Sequence, residues 1–309
     1  MIAVSWQARL VQLALRLFVR RRLTAEHGAA SARATLNRMA KLVRPPPRGM
    51  SFETGTLGGV RGEWIRARGD KAGQNPVVLY FHGGGYIAGT PRLSRPVVVR
   101  VVAQCGGEAF SAAYRLAPEH PFPAALDDAI ACYDALVASG YAPGRIVLAG
   151  DSAGGGLALA LALKIRDSTP TRQLPAGLAL ISPWVDLTLS GASIAANAEI
   201  DPIIHIGFAE PARRMYVPGG RYDVPLASPL FARLDGLPPV FIQVGTREIV
   251  LDDARRLAAR LESAGVKHTL EVWEGMHHDW QLSPVAFPEV RGAVKTIAEF
   301  IATVCRTSG

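Results

Sequence analysis

A serine stands at the centre of a glycine-rich turn at residues 150–154, which read Gly-Asp-Ser-Ala-Gly. The turn lies between an apolar, strand-like run at 145–150 and an Ala/Leu-rich, helix-like run at 157–166. A turn this tight requires glycine two residues before and two residues after the serine, and it raises the hydroxyl above the edge of a sheet. The first amides of the helix point to the same place. The pattern therefore predicts that Ser152 is a nucleophile.

A second glycine-rich segment, His-Gly-Gly-Gly-Tyr at residues 82–86, follows the apolar run at 76–81. Backbone N–H groups without side chains can surround the negative oxygen of a tetrahedral intermediate, and each donor lowers the barrier by about 3 kcal/mol. We expect the N–H groups of Gly83, Gly84 and Ala153 to form such an oxyanion hole. His82 is expected to hold the glycine loop through a hydrogen bond.

The glycine triplet taken alone is also compatible with the phosphate loop of a dinucleotide-binding protein. Such a protein needs an acidic residue near the end of the next strand, to bind a ribose hydroxyl. Glu108 lies at the start of that predicted strand instead. The sequence therefore disfavours a dinucleotide cofactor, and we expect neither an organic cofactor nor a metal.

A serine nucleophile needs a base, and with a strand–turn–helix nucleophile the chain order is serine, acid, histidine. His277 and His278 follow the strand-like run at 269–273 in a loop, which is the required place. His205 lies in an irregular segment, and His268 opens a strand. The residue types alone leave the choice between His277 and His278 open.

The acid that orients the histidine is expected after the strand-like run at 239–245. Glu248 follows that strand directly, so its carboxylate can reach a histidine on the next loop. Asp252 and Asp253 are alternatives, but they open a predicted helix at 252–264 and are expected to cap it. Asp186 is a weaker alternative.

From about residue 76 onward, strand-like and helix-like runs alternate. This order favours an α/β fold with a mostly parallel, doubly wound sheet. Residues 1–45 look helical as far as the prolines at 45–47, and residues 188–228 contain no clear strand. The last predicted strand, 269–273, is a candidate for an exposed edge through which a homodimer forms.

Composition excludes several classes of function. The net charge is +8, but the basic residues form no long run, so nucleic-acid binding is not expected. Cys105, Cys132 and Cys305 are odd in number and lack the spacing of metal ligands. Reduced thiols are the simplest interpretation, which places the protein in the cytoplasm.

The N-terminal residues 1–23 are apolar with interspersed arginines. Their apolar runs are shorter than the roughly 20 residues of a membrane span, and no signal-peptide cleavage site is evident. Trp6, Leu10, Leu13 and Leu17 recur with a helical period instead. We expect a helix that lies over the main domain, the alternative being a helix on a membrane surface.

Together these motifs resemble the bacterial hormone-sensitive-lipase-like esterases. The matching segments are the glycine loop at 82–86, the run from Tyr114 to Ala125, the serine turn at 150–155, Ser-Pro-Trp at 182–184 and Gly-Met-His-His at 275–278. They appear in the order of the family and span most of residues 76–280.

The resemblance implies an α/β-hydrolase fold. It also implies a helical cap made by residues 1–45 and by the insertion 188–228, on a catalytic domain of residues 46–309. The family pattern Gly-Met-x-His places the catalytic histidine at His278. Its usual acid is aspartate, whereas Glu248 stands here and is longer by one methylene group.

The implied activity is hydrolysis of short- to medium-chain acyl esters through an acyl-enzyme, without a cofactor or metal. Tyr86 and Trp184 are expected to line the substrate pocket. Two other functions remain possible at this level, namely a non-catalytic small-molecule receptor on the same fold and a lipase or amidase variant. A receptor that had lost catalysis would not need the serine, acid and histidine that this chain retains.

Overall fold

The computed structural model describes residues 4–24, 28–43, 45, 47–67, 75–168 and 172–307. Within them one sheet contains eight strands in the order β1-β2-β4-β3-β5-β6-β7-β8. Strands β1 and β2 run antiparallel to their neighbours, whereas β4, β3 and β5 to β8 pair in parallel. The bounds are β1 Met50–Leu57, β2 Val60–Ala67, β3 Val77–Phe81, β4 Glu108–Ala112, β5 Ile146–Asp151, β6 Gly177–Ile181, β7 Val240–Gly245 and β8 His268–Trp273.

The described helices lie between these strands and at both ends of the chain. Their bounds are α1 Trp6–Leu15, α2 Ala29–Lys41, α3 Pro91–Cys105, α4 Ala124–Ala138, α5 Ala153–Arg166, α6 Ser193–Ala196, α7 Ile206–Tyr216, α8 Leu251–Ser263 and α9 Pro288–Thr307. A π-helical turn, Arg16–Arg20, continues α1. The expectation of a mostly parallel sheet with alternating helices is confirmed.

Strands β3 to β7 are buried at every position, because helices cover both faces of the sheet. This explains why their sequences read as continuous apolar runs rather than as alternating patterns. In the register of the sheet, Phe81 pairs with Gly150 and Asp151 pairs with Ile181. The carboxyl ends of β3, β5 and β6 therefore meet at one edge, where the loops that follow them carry the residues of interest.

Two differences from the sequence-based expectations concern element boundaries. Strand β1 was not predicted, because Met50–Leu57 is only partly buried and pairs with β2 as an antiparallel hairpin. The apolar run at 96–104, which by itself predicts a helix, belongs to α3, and α3 begins earlier, at Pro91, because proline is favoured in the first turn of a helix. Strand β8 is an edge strand, as the sequence predicted.

The N-terminal segment is attached to the main domain by specific polar contacts. The Ser5 hydroxyl donates to Glu289 over 2.7 Å, and the Gln12 side chain donates to the carbonyl of Gly275 over 2.8 Å. The Arg20 guanidinium donates to the carbonyl of Ala198, in the 188–228 segment. Residues 1–3, 25–27 and 44 of the expected N-terminal cap lie outside the described residues.

No helix in the described part of the chain is both long enough and apolar enough to cross a membrane.

Candidate active site

The turn after β5 holds Ser152 in a strained conformation. Its φ of 53° and ψ of −119° lie where residues with a side chain are rarely found. The neighbouring backbone permits this only with glycine, because a Cβ on Gly150 would strike Gly154 and a Cβ on Gly154 would strike the carbonyl of Phe81. The turn is thus the strand–turn–helix that the Gly-x-Ser-x-Gly pattern predicts. It leaves the Ser152 side chain bordering a cavity.

Asp151, immediately before the serine, connects the two glycine-rich segments. Its carboxylate accepts hydrogen bonds from the Tyr80 hydroxyl at 2.7 Å, the Gly83 N–H at 2.8 Å and the Ser94 hydroxyl at 3.2 Å. Burial raises the pKa of Asp151, and these donors oppose that rise. Sequence reasoning missed this role. The available signal was a carboxylate at the end of a fully buried strand, where it requires partners.

The glycine loop lies against the serine turn, as expected. Gly83 and Gly84 border the same cavity as Ser152. The Gly83 N–H, however, already donates to Asp151, so the donor expected there has a competing acceptor. Ala153 is the first residue of α5, and its N–H therefore has no acceptor within the helix.

His82 supports the glycine loop, which confirms the structural role expected for it. Its Nδ1 lies 2.8 Å from the carbonyl of Gly83, and its ring stacks on Tyr114 at 4.5 Å between centroids. Burial lowers the pKa of His82 to about 4, so the ring is neutral at ordinary pH. A neutral ring can form this contact without burying a charge.

The structure brings His278 and Glu248 together. The His278 Nδ1 lies 2.9 Å from the Glu248 carboxylate, and both side chains are buried. The other carboxylate oxygen accepts from the Ser182 hydroxyl at 2.9 Å and from the Gly245 N–H. Three donors thus fix the orientation of Glu248. With the Nδ1 proton donated to Glu248, Nε2 is the nitrogen left to accept a proton.

The alternative acids have other partners. Asp253 accepts from the N–H groups of Val185 and Asp186 at 3.0 and 2.9 Å. Asp252 accepts from the Ser193 N–H, and Asp186 pairs with Arg256. The expectation that Asp252 and Asp253 cap α8 through their side chains is wrong. Both lie in its first turn but bind the neighbouring 185–193 segment, and no side chain caps the helix.

His277, the other candidate base, is also buried and borders the cavity. Its Nδ1 has no hydrogen-bond partner within the described residues, and no carboxylate orients the ring. Burial, together with the adjacent His278, lowers the pKa of His277 to about 3. A base this weak removes a serine proton poorly.

Asp279 is a second carboxylate beside His278 that sequence reasoning did not single out. Its Oδ2 lies 3.1 Å from the His278 Nε2, although the pair is not in hydrogen-bonding geometry. The residue has a left-handed φ of 55° and borders the cavity with Ser152. Asp279 therefore faces Nε2, the ring nitrogen that does not contact Glu248.

The carboxylates around His278 strengthen its hold on a proton. Burial lowers the pKa of His278, but Asp279 and the hydrogen bond to Glu248 outweigh this and raise it to about 10. Burial and the nearby carboxylates also raise the pKa of Asp279. Because the two groups lie 3.1 Å apart, they titrate as a pair.

We expect Asp279→Asn to extend activity toward lower pH. A base must be unprotonated, so a raised pKa of His278 moves the acid limb of kcat/KM above the ordinary histidine value of about 6.5. Removing one carboxylate lowers that pKa, and the limb should shift down by about one unit or more. The measurement is a pH profile of kcat/KM with a nitrophenyl ester. Asp235→Asn, on an exposed loop, is the control, and an unmoved limb would show that Asp279 is uncharged beside His278.

A cavity of about 500 Å³ opens beside the serine, a volume typical of small-molecule sites. One wall comes from the N-terminal helix, through the apolar side chains Val11, Ala14, Leu15, Phe18 and Val19. Further apolar residues come from α2 and from the 203–208 segment. The polar groups that border it are concentrated at the serine, the glycine loop and residues 277–279. The cavity therefore suits a ligand with one reactive polar group and an apolar remainder.

The two residues expected to line the pocket are placed differently. Tyr86 is buried and stacks on Tyr216 at 3.8 Å between centroids, away from this cavity. Trp184 is buried as well, but it borders a smaller pocket together with Ser152 and His278. Within the described residues, no group of three or more His, Cys, Asp or Glu is arranged to hold a metal ion.

Comparison with known proteins agrees with this geometry. Residues 78–282 match the model of a family described as having the alpha/beta hydrolase fold. The chain is 37% identical to an esterase of Acinetobacter venetianus over 249 residues, 79% of each protein. It is 40% identical to an acetyl-hydrolase of Streptomyces hygroscopicus over 250 residues, 80% of this chain and 81% of the relative.

Solved structures are similar over almost the whole chain. A crystal structure of an esterase from the bacterial hormone-sensitive lipase family superposes with a TM-score of 0.90 at 38% sequence identity. The match covers 98% of this chain and 99% of that esterase. The resemblance inferred from the motifs is therefore confirmed. The chain belongs to the bacterial hormone-sensitive lipase family of the alpha/beta hydrolase fold, and it is a carboxylesterase.

Proposed function

We propose that the protein hydrolyses short- to medium-chain acyl esters with Ser152 as nucleophile, His278 as base and Glu248 as the acid. The observation that carries this assignment is the convergence of three elements on one cavity. Ser152 and His278 border it together, and Glu248 lies 2.9 Å behind the imidazole. His278 Nε2, on the far side of the ring from Glu248, has no hydrogen-bond partner within the described residues and is the nitrogen proposed to accept the serine proton.

The reaction follows from these positions. His278 accepts the Ser152 proton as the oxygen attacks the ester carbonyl, and Glu248 stabilises the imidazolium that forms. The imidazolium then protonates the departing alcohol, which leaves an acyl group on Ser152. Water, deprotonated by the same histidine, attacks the acyl-enzyme and releases the acid.

The N–H groups of Gly84 and Ala153 are the proposed main donors to the negative oxygen. Gly83 stays part of the oxyanion hole, but its N–H is shared with Asp151. A side chain at position 83 would strike the Asp151 carboxylate, so glycine there also allows the loop to approach the serine turn. Donors placed before the reaction need no reorganisation as charge develops.

The cavity supports the preference for an acyl chain of limited length. Its walls are apolar and its volume is about 500 Å³, so a short alkyl chain is buried completely. Burial of each further methylene group contributes about 0.8 kcal/mol until the cavity is full. Trp184 is proposed to border the smaller part of the site, whereas Tyr86 supports it from behind.

Leu15→Trp is expected to shorten the preferred chain. Leu15 points into the cavity, so a larger ring there takes space from the substrate. We expect kcat/KM for nitrophenyl octanoate to fall at least about tenfold while that for the acetate changes little. The matched control is Leu10→Trp, on the exposed side of the same helix. A parallel decline on all chain lengths in Leu15→Trp would reject the cavity as the acyl site.

Three further proposals concern organisation. Residues 1–45 and 188–228 are proposed to form the cap over a catalytic domain of residues 46–309, supported by the contacts of Arg20 with Ala198 and His205. Edge strand β8 is the proposed surface of a homodimer. The three free cysteines support a reducing, cytoplasmic location.

A further inference from the structure

The outer side of the N-terminal helix carries a row of exposed apolar side chains. Trp6, Leu10, Leu13 and Leu17 are 67, 56, 53 and 57% exposed, and they recur at the spacing of one helix face. We call this row the outer stripe. The opposite side of the helix is apolar as well and lies against the protein. A helix with apolar residues on two opposite sides normally has both sides covered, so the outer stripe is a surface without its partner.

The outer stripe is continuous with the mouth of the cavity. Phe18 is 64% exposed, follows the stripe by one residue, and also borders the cavity. Leu42 and Val285 border the cavity too and are 71 and 55% exposed. Most of the large exposed apolar side chains in the described residues therefore belong to the stripe or surround one opening. Such concentration marks an interaction surface rather than scattered exposure.

The charge of this region identifies the kind of partner. Residues 1–52 carry ten basic side chains and one acidic one, which is enough to account for the whole net charge of +8. Arg9 and Arg16, seven residues apart, lie along one flank of the outer stripe, and Arg21 follows it. These three arginines are exposed and form no ion pair within the described residues. An apolar helix face bordered by arginine suits the surface of a bilayer that contains anionic phospholipid.

The same charge argues against a second copy of the chain. Two copies that met symmetrically through the outer stripe would bring the same basic segment face to face. Like charges at an interface oppose association, whereas anionic headgroups neutralise them. We propose that the outer stripe docks on an anionic phospholipid surface, with the mouth of the cavity turned toward the lipid.

The probe is a phosphatidylcholine vesicle with or without phosphatidylglycerol, and the readouts are co-sedimentation and tryptophan emission. Trp6 reports directly, because Trp184 and Trp280 are buried and Trp64 and Trp273 are partly buried. We expect binding to phosphatidylglycerol vesicles, a blue shift of the emission, and weaker binding in high salt. Trp6→Phe should lose the blue shift but retain sedimentation with the vesicles.

Two sets of variants separate the contributions. Leu10→Ser combined with Leu13→Ser and Leu17→Ser should weaken binding to anionic vesicles by about tenfold or more, since apolar burial drives it. Arg9→Gln combined with Arg16→Gln and Arg21→Gln should remove the preference for phosphatidylglycerol.

The matched control is a double variant at exposed valines outside the outer stripe, Val137→Ser with Val272→Ser, which should bind the vesicles like the wild type. None of these residues borders the cavity, so hydrolysis of a soluble nitrophenyl ester should remain unchanged and verify folding.

Failure of the wild-type protein to bind phosphatidylglycerol vesicles would overturn the proposal, as would equal binding to both kinds of vesicle. Normal binding by the triple serine variant would overturn it too. Light scattering tests whether the outer stripe binds a second copy of the chain. A wild-type protein that forms a dimer and does not bind vesicles, with a triple serine variant that is monomeric, would assign the outer stripe to self-association.

Discussion

Ser152→Ala is expected to abolish ester hydrolysis in a protein that remains folded. Removing the nucleophile of a serine hydrolase lowers kcat by on the order of 10⁶-fold, because the remaining groups cannot form the acyl-enzyme. The hydroxyl makes no hydrogen bond to the described residues that its loss would disrupt, so we expect little change in stability. The measurements are kcat/KM with nitrophenyl butyrate and the thermal unfolding midpoint.

The control for this substitution is Ser111→Ala. Ser111 is buried in β4, and its hydroxyl also lacks a hydrogen-bond partner within the described residues, but it does not border the cavity. Full activity in Ser111→Ala with none in Ser152→Ala assigns the effect to position 152. Mass spectrometry of the wild-type enzyme quenched during turnover should show the acyl group on the peptide that contains Ser152. Near-normal turnover by Ser152→Ala would reject the nucleophile and the acyl-enzyme together.

Glu248→Gln is expected to have the second-largest effect, a fall in kcat of about 10⁴-fold. Glutamine has almost the same shape and can still accept from Ser182 and Gly245. It carries no charge to stabilise the imidazolium, however, and its amide can favour the wrong tautomer of His278. The loss should therefore appear in kcat rather than in KM, without unfolding. The measurement is steady-state kinetics over a range of pH.

Asp252→Asn is the matched control for the acid. Asp252 lies four residues further along, and its carboxylate accepts from the Ser193 N–H rather than contacting His278. We expect its kcat to stay within about tenfold of the wild type, since a merely structural contact is lost. A large loss in Asp252→Asn with near-normal activity in Glu248→Gln would transfer the role of the acid to Asp252.

Glu248, the proposed acid, stands where the family pattern usually has aspartate, and its contacts explain how the longer side chain fits. The Glu248 side chain folds back toward the end of its own strand, where Gly245 N–H binds one carboxylate oxygen. The other oxygen reaches His278, and Ser182 on the neighbouring strand end binds the first. The additional methylene group is accommodated because the carboxylate is held from two strands as well as by the imidazole. Asn197 further fixes the loop by donating to the carbonyl of Glu248 over 2.6 Å.

The extent to which sequence predicts this site differs among its parts. The serine turn and the glycine loop are encoded locally, because only glycine tolerates the backbone approach around Ser152 and Asp151. Their meeting at one edge also follows from the apolar runs, since adjacent parallel strands end together. Local sequence did not decide which of the two adjacent histidines, His277 or His278, is the base. Which of them faces a carboxylate depends on the loop after β8 and on the left-handed backbone at Asp279.

Local sequence thus determined the serine turn, the glycine loop and the alternation of strands and helices that carries them. The reason is that steric limits on the backbone and the spacing of apolar residues depend only on neighbours in the sequence. Packing between distant segments decided the partners: Asp151 with the glycine loop, Asp279 with the Nε2 of His278, and the N-terminal helix as a cavity wall. The exposure of the outer stripe was equally a tertiary outcome. A helix with two apolar faces does not specify in its sequence which face the protein covers and which it leaves to solvent.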